Sequence, residues 1–144
     1  YDPVECEIIT IENYERRIPI ARENFIRAEK EEQITLLEGD AKDVLETLTE
    51  PFDLIFMDAA KGQYLNFLPR VLELLQPEGI LISDNVLQDG DIIESRFAVT
   101  RRNRTIHKRM REYLYTLTHS EELTTAVLPV GDGITISTKK GRKA

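Results

Sequence analysis

Four acidic residues stand where strand-like runs of the chain stop: Glu12, Asp40, Asp58 and Asp84. Asp58 follows Leu54-Ile55-Phe56-Met57, and Lys61 comes three residues later in the stretch FMDAAKGQY. Asp84 follows Ile80-Leu81-Ile82-Ser83 and precedes Asn85. An ionised carboxylate near a core is costly unless something binds it. If the two strands are parallel neighbours, about 5 Å separates them and the carboxylates converge. A divalent cation would relieve the repulsion, with Asn85 as a neutral oxygen ligand. All-oxygen ligation by two or three protein groups, with positions left for water or substrate, favours Mg2+ over zinc or a caged calcium. Lys61 would then reach a substrate oxygen, and a lysine of depressed pKa can accept its proton. A blander alternative stays open: Asp58 and Asp84 as caps, Asn85 in an Asx-turn, Lys61 as a solvated surface residue and Tyr64 as packing.

The elements that position these residues alternate along the chain. Strands are expected at about 7–11, 34–38, 53–57, 79–83, 123–129 and 133–139. Helices are expected over about Tyr14–Lys30, after the capping residue Asp40, over about Tyr64–Leu75, and over about Arg101–Thr118. Pro77 and Gly79 punctuate the approach to the fourth strand, and the Gly131-Asp132-Gly133 turn closes a final hairpin. Strands alternating with helices, most of them apolar on both faces, imply a mostly parallel sheet between helices, ending in an antiparallel hairpin. Ligands bind such sheets beyond the carboxyl ends of the strands, where the four acidic residues fall.

At 144 residues, 41% of them hydrophobic, the composition is that of one globular domain rather than a disordered or collagen-like chain. No apolar run approaches the roughly 20 residues of a membrane helix. The single cysteine, Cys6, can form no internal disulfide, and no Cys/His cluster suggests zinc. The opening residues lack the features of a signal peptide, so a cytoplasmic protein is expected. The net charge of -7 is uneven: residues 1–100 hold 9 basic and 22 acidic side chains, residues 101–144 hold 10 and 4. Such a split can mark a polyanion-facing end, or simply two solvated faces of different sign.

The stretches FDLIFMDAAKGQY, GILISDNVL, RRNRTIHKRMREY and LPVGDGITIS resemble, in order and spacing, the bacterial metal-dependent O-methyltransferases related to the catechol and caffeoyl-CoA enzymes. Within that family the tRNA 5-hydroxyuridine methyltransferases are most similar. The resemblance runs from about Glu7 to Lys140 and implies a Rossmann-like α/β fold that binds S-adenosylmethionine. It also implies roles for single residues. Asp58, Asp84 and Asn85 fall on the metal-ligand positions, Asp58 also beside the cofactor, and Lys61 on the general base. Glu12 falls on the residue that holds the cofactor ribose. Gly39, Asp40 and Ala41 fall on the adenine loop. A homodimer is implied as well. The family pattern starts with N-terminal helices, a first strand and a glycine-rich loop, none of which occurs before Glu12. The 144 residues therefore read as the C-terminal two-thirds of one methyltransferase domain, inactive alone. The 7–11 and 53–57 strands should not pair directly.

Arg101, Arg104, Lys108 and Arg111 recur at intervals of three and four, a stripe able to track RNA phosphates. Arg102, Arg109 and the basic tail widen it. Ile106, Met110, Leu114 and Leu117 should pack inward, leaving His107 exposed. Together with the subfamily resemblance, the stripe favours methylation of 5-hydroxyuridine in tRNA, with a small catechol-like or phenolic acceptor as the alternative. Readings from other classes are a receiver domain, suggested by DLIFMD, and a non-catalytic binding module.

Overall fold

The structure, a computed structural model, describes residues 6–87 and 104–141. The chain divides into two compact units, Tyr1–Thr49 and Glu50–Ala144.

The first unit pairs strand β1 (Ile8–Glu12) in parallel with β2 (Ile34–Glu38), Glu12 opposite Glu38. Helix α1 (Ile18–Arg27) joins them. It is shorter than the expected Tyr14–Lys30, because Pro19 sets its first turn and Ala28 its end. Helix α2 (Ala41–Thr47) follows, capped by the Asp40 carboxylate, which accepts from Lys42 N at 2.9 Å. No described residue of this unit is buried. Two strands and two helices are too few to enclose a core, and Ile20 and Ile26 are 58% and 62% exposed.

The second unit holds a four-stranded sheet in the order β3-β4-β6-β5. Strand β3 (Phe52–Met57) runs parallel to β4 (Leu75–Ser83), and β6 (Ile134–Lys139) lies antiparallel to both β4 and β5 (Leu123–Leu128). The antiparallel finish is as expected.

Two helices cover the sheet. Helix α3 (Tyr64–Leu74) buries Tyr64, Phe67, Leu68, Val71 and Leu74, a stripe of three- and four-residue steps. Helix α4 (Arg104–His119 as described) buries His107, Met110, Tyr113 and Leu117. Of the expected inner stripe, Met110 and Leu117 are buried, whereas Ile106 and Leu114 are only half-buried; Tyr113 is buried in addition, and His107 is 3% exposed rather than solvated. The packed face centres on Met110, Tyr113 and Leu117, and His107 lies one turn along it.

Strand β4 also begins earlier than its punctuation implies. Leu75 pairs with Phe52, then the register slips so that Leu54 meets Ile80, with Pro77 and Gly79 in the bulged stretch. A β-carbon at Gly79 would lie 2.8 Å from Gln76 O and 2.9 Å from Leu75 Cδ1, so only glycine fits there. On β3 the side chains alternate: Met57 is buried, whereas Leu54 and Phe56 are 53% and 57% exposed.

Candidate active site

Strand register brings the first acidic pair together. Met57 pairs with Ser83, so Asp58 and Asp84 follow directly on partnered residues of parallel strands, and Asp84 N donates to Met57 O at 3.1 Å. Beneath them sits Tyr64, fully buried. Its hydroxyl donates to Asp84 O at 2.9 Å, lies 3.3 Å from Met57 O and accepts from Ala59 N at 3.4 Å. One phenol therefore braces the ends of both strands and the loop between β3 and α3. Burial pushes its pKa up to about 12; the Ala59 hydrogen bond opposes this, and the Asp58 and Asp84 charges add to it.

A second tyrosine supports the first. The Tyr113 ring meets Tyr64 edge-on, with centroids 5.3 Å apart at 76°, and its hydroxyl lies 2.6 Å from Ser83 Oγ. Burial raises the Tyr113 pKa as well. Sequence reasoning leaves Tyr64 as packing and does not single out Tyr113 or Ser83. The available signal was periodic: Tyr113 lies three residues after Met110 and four before Leu117, on the inward face.

Asn85 adopts φ +57, the left-handed region, and its backbone N–H donates to Asp84 Oδ1 at 2.7 Å. The strand exit is held beyond it, where Val86 N donates to Gly133 O at 3.0 Å and Leu87 N to Asp132 O at 2.8 Å. Gly133, at φ +84, leaves room for Leu87, which a β-carbon there would overlap. The hairpin turn thus sets where Asn85 is presented. Lys61 opens a 3-10 turn, Lys61–Gln63, between β3 and α3, and is half-buried.

Asp58, Asp84 and Asn85 would offer an all-oxygen donor set. Among the described residues no cluster of three or more His, Cys, Asp or Glu side chains could hold a metal. Asp58 and Asp84 supply two carboxylates, and Asn85 would supply the third, neutral oxygen. Asp84 Oδ1 accepts from its neighbour's amide. The set fits a hard divalent cation that retains water or substrate ligands.

Of the expected cofactor residues, Glu12, Gly39, Asp40 and Ala41 lie in the first unit and Asp58 in the second. Glu12 ends β1; its Oε1 accepts from Asn13 N at 3.0 Å and Tyr14 N at 2.9 Å, and Oε2 lies 3.8 Å from Arg17. Two backbone donors therefore fix the carboxylate's orientation. Gly39 N donates to Glu12 O at 3.1 Å, which seats the Gly39-Asp40-Ala41 turn beside the end of β1. Asp40 uses its carboxylate to cap α2, while Gly39 and Ala41 are half-buried.

Of the expected RNA stripe, Arg101 lies outside the described residues. Arg104 is half-buried, Arg111 is exposed, and Lys108 is exposed with its amine 3.6 Å from Glu112. No described helix is long and apolar enough to cross a membrane.

Over 134 residues the chain is 34% identical to caffeoyl-CoA O-methyltransferase 1 of Eucalyptus globulus, covering 89% of this chain and 53% of that one. It is 33% identical over 96 residues to catechol O-methyltransferase of Niastella koreensis, covering 64% and 43%. The chain thus spans about half the length of the curated relatives it matches. Among solved structures, an SAH-bound Podospora anserina methyltransferase superposes with a TM-score of 0.82 at 30% identity, covering 94% of this chain and 62% of that one. An O-methyltransferase from Bacillus cereus in complex with SAH gives 0.80 at 26%, covering 93% and 63%. The fold is therefore Rossmann-like, with a sheet of parallel and antiparallel strands. The O-methyltransferase family model matches residues 2–140, through both units, and the chain belongs to that family.

Proposed function

We propose that the intact protein is an S-adenosylmethionine-dependent O-methyltransferase that uses a divalent cation, Mg2+, and acts on a hydroxyl with a neighbouring oxygen. The observation that carries this reading is the placement of Asp58, Asp84 and Asn85 at the ends of two hydrogen-bonded parallel strands. The names of the relatives and the SAH in two similar structures support the reaction class. We read the two units as parts of one methyltransferase domain, because the family match runs through both.

S-adenosylmethionine would supply a sulfonium methyl group, and the cation would polarise the acceptor hydroxyl. The chain's own residues bind and orient. Glu12, its carboxylate fixed by Asn13 N and Tyr14 N, would accept from the ribose diol of the cofactor. Gly39, Asp40 and Ala41 would contact its adenine. Asp58, Asp84 and Asn85 would hold the cation, and Asp58 would also lie beside the cofactor. Lys61 Nζ would take the acceptor's proton.

Two acceptors meet these requirements. A small catechol-like phenol is supported by the names of the relatives. The 5-hydroxyuridine of tRNA is supported by the basic face of α4, where Lys108 and Arg111 are exposed.

The test is methyl transfer by the intact protein from labelled S-adenosylmethionine to catechol and, separately, to tRNA carrying 5-hydroxyuridine. Transfer should need Mg2+ and be lost in Asp58→Ala or Asp84→Ala. Full activity in excess chelator would remove the metal from the mechanism. Activity on neither acceptor would overturn the substrate reading.

A further inference from the structure

Arg109 lies outside the inward face of α4, and by its type it belongs to the charged surface of that helix. The structure gives it a different task. Its Nη1 donates to Gly62 O at 2.7 Å, across 47 residues of sequence. Gly62 is the middle residue of the 3-10 turn that begins at Lys61. Local bonding of that turn is thin: Gln63 N donates to Ala60 O at 2.7 Å, and Gly62 has no side chain to pack. Glycine also gives the turn the freest backbone of any residue. Among the described residues the Lys61 amine makes no hydrogen bond or ion pair, so nothing at its own tip fixes where it points. Its position is therefore set by the backbone of the turn, and the turn is tied to α4 through Arg109.

We infer that Arg109 is a positioning residue for Lys61, holding the turn against α4 so that the backbone carrying Lys61 keeps one place between β3 and α3. The guanidinium suits this role. Its charge is permanent, and its planar fork loses little freedom per hydrogen bond formed. The helix beneath it is fixed independently by Tyr113, through Ser83 Oγ at 2.6 Å and the ring of Tyr64. The anchor therefore has a rigid base. This inference rests on the reading of Lys61 as the base, and the experiment separates the two.

The variants are Arg109→Met, Arg109→Lys, Lys61→Met and the double variant Arg109→Met/Lys61→Met, all in the intact protein. Arg109 is exposed, so its replacement should leave the fold in place. The first readout is hydrogen exchange. In Arg109→Met the Gln63 amide should exchange faster while the amides of α4 around Tyr113 keep their protection. The second is the pH profile of methyl transfer to catechol, or to 5-hydroxyuridine tRNA if that is the acceptor methylated. Arg109→Met should lower kcat about five- to tenfold near neutral pH with KM little changed, and the deficit should shrink as pH rises. Arg109→Lys should recover part of the rate. In the Lys61→Met background, Arg109→Met should cost nothing further.

Unchanged exchange at Gln63, or an equal loss in both backgrounds, would overturn the inference while leaving Lys61 as the base. Wild-type turnover by Lys61→Met would overturn the reading of Lys61 and the inference with it.

Discussion

The hydroxyl of Tyr64 donates to the main-chain oxygen of Asp84 at 2.9 Å, from a side chain with no exposed surface. The first residue of α3 thereby holds the exit of β4, twenty residues further along the chain. This bond, with the longer approach to Met57 O, keeps the ends of β3 and β4 in one arrangement. Any group carried on Asp58 and Asp84 inherits that order.

Tyr64→Phe tests the brace. It removes the hydroxyl and leaves a part-buried carbonyl without that partner, while the ring still packs on Tyr113. We expect a stability loss of about 1–3 kcal/mol, read as a lower urea midpoint with an unchanged slope. Methyl transfer should fall further than stability accounts for, because both candidate metal ligands lose their common support. An unchanged midpoint would mean that the bond is idle.

Alkaline pH should destabilise the fold through its buried tyrosines. An unfolded tyrosine titrates near pH ~10, whereas burial holds Tyr64 up to about 12 and raises Tyr113 too. Above that lower value the unfolded chain has lost phenolic protons that the folded chain retains, so stability falls with pH. The contribution is complete below the unfolded value and disappears as pH passes the folded one. Urea midpoints measured upward from pH 8 should show the decline, and Tyr113→Phe should make it shallower. A flat profile in wild type would contradict the burial argument.

Asn85 separates a backbone role from a ligand role. Asn85→Gly keeps the φ of +57 accessible and deletes the amide oxygen; Asn85→Ala deletes the oxygen and strains the backbone by about 1 kcal/mol. If the oxygen is a ligand, both variants should need more Mg2+ for half-maximal rate, and only the alanine should also lose thermal stability. Mg2+ requirements equal to wild type in the glycine variant would leave Asn85 as a turn residue.

Gly79→Ala should be among the costlier single changes in the second unit. Its β-carbon would press on Gln76 O, Leu75 Cδ1 and Asp53 O, two of them main-chain atoms. The bulge between β3 and β4 would have to move, at about 1–3 kcal/mol. Thermal unfolding reads this directly, and a melting temperature like that of wild type would show that the bulge is soft.

The basic face of α4 decides between acceptors. Replacing Arg104, Lys108 and Arg111 with glutamine should weaken tRNA binding and flatten the salt dependence of log K, by about 0.7–0.9 for each phosphate no longer neutralised. Transfer to a small catechol should survive. Unchanged tRNA affinity with intact catechol methylation would favour the phenolic reading.

Much of this organisation is legible without coordinates. The β-branched and apolar runs at 34–38 and 53–57 coincide with β2 and β3 to within a residue, because strand propensity and flanking turn residues agree there. The Gly131-Asp132-Gly133 hairpin and the capping role of Asp40 were equally local. Errors arose where a local signal met a long-range one. Pro77 and Gly79 look like a boundary, yet the ladder from Phe52 to Leu75 starts β4 before them and absorbs both into a bulge. His107 and Arg109 look like surface charge, yet helix rotation buries one and a carbonyl 47 residues away engages the other.

By itself, then, the sequence determined which segments form strands and helices and that acidic residues stand at the strand ends, since these follow from side-chain period and turn chemistry within a few residues. Only the tertiary structure decided that β3 and β4 are neighbours, that their register sets Asp58 beside Asp84, and that Tyr64 and Tyr113 meet beneath them. The reason is physical. Strand pairing and ring contacts are settled by burying shared apolar surface between residues far apart in the chain, Met57 with Ser83 and Tyr64 with Tyr113, and no local preference encodes which of those residues will touch.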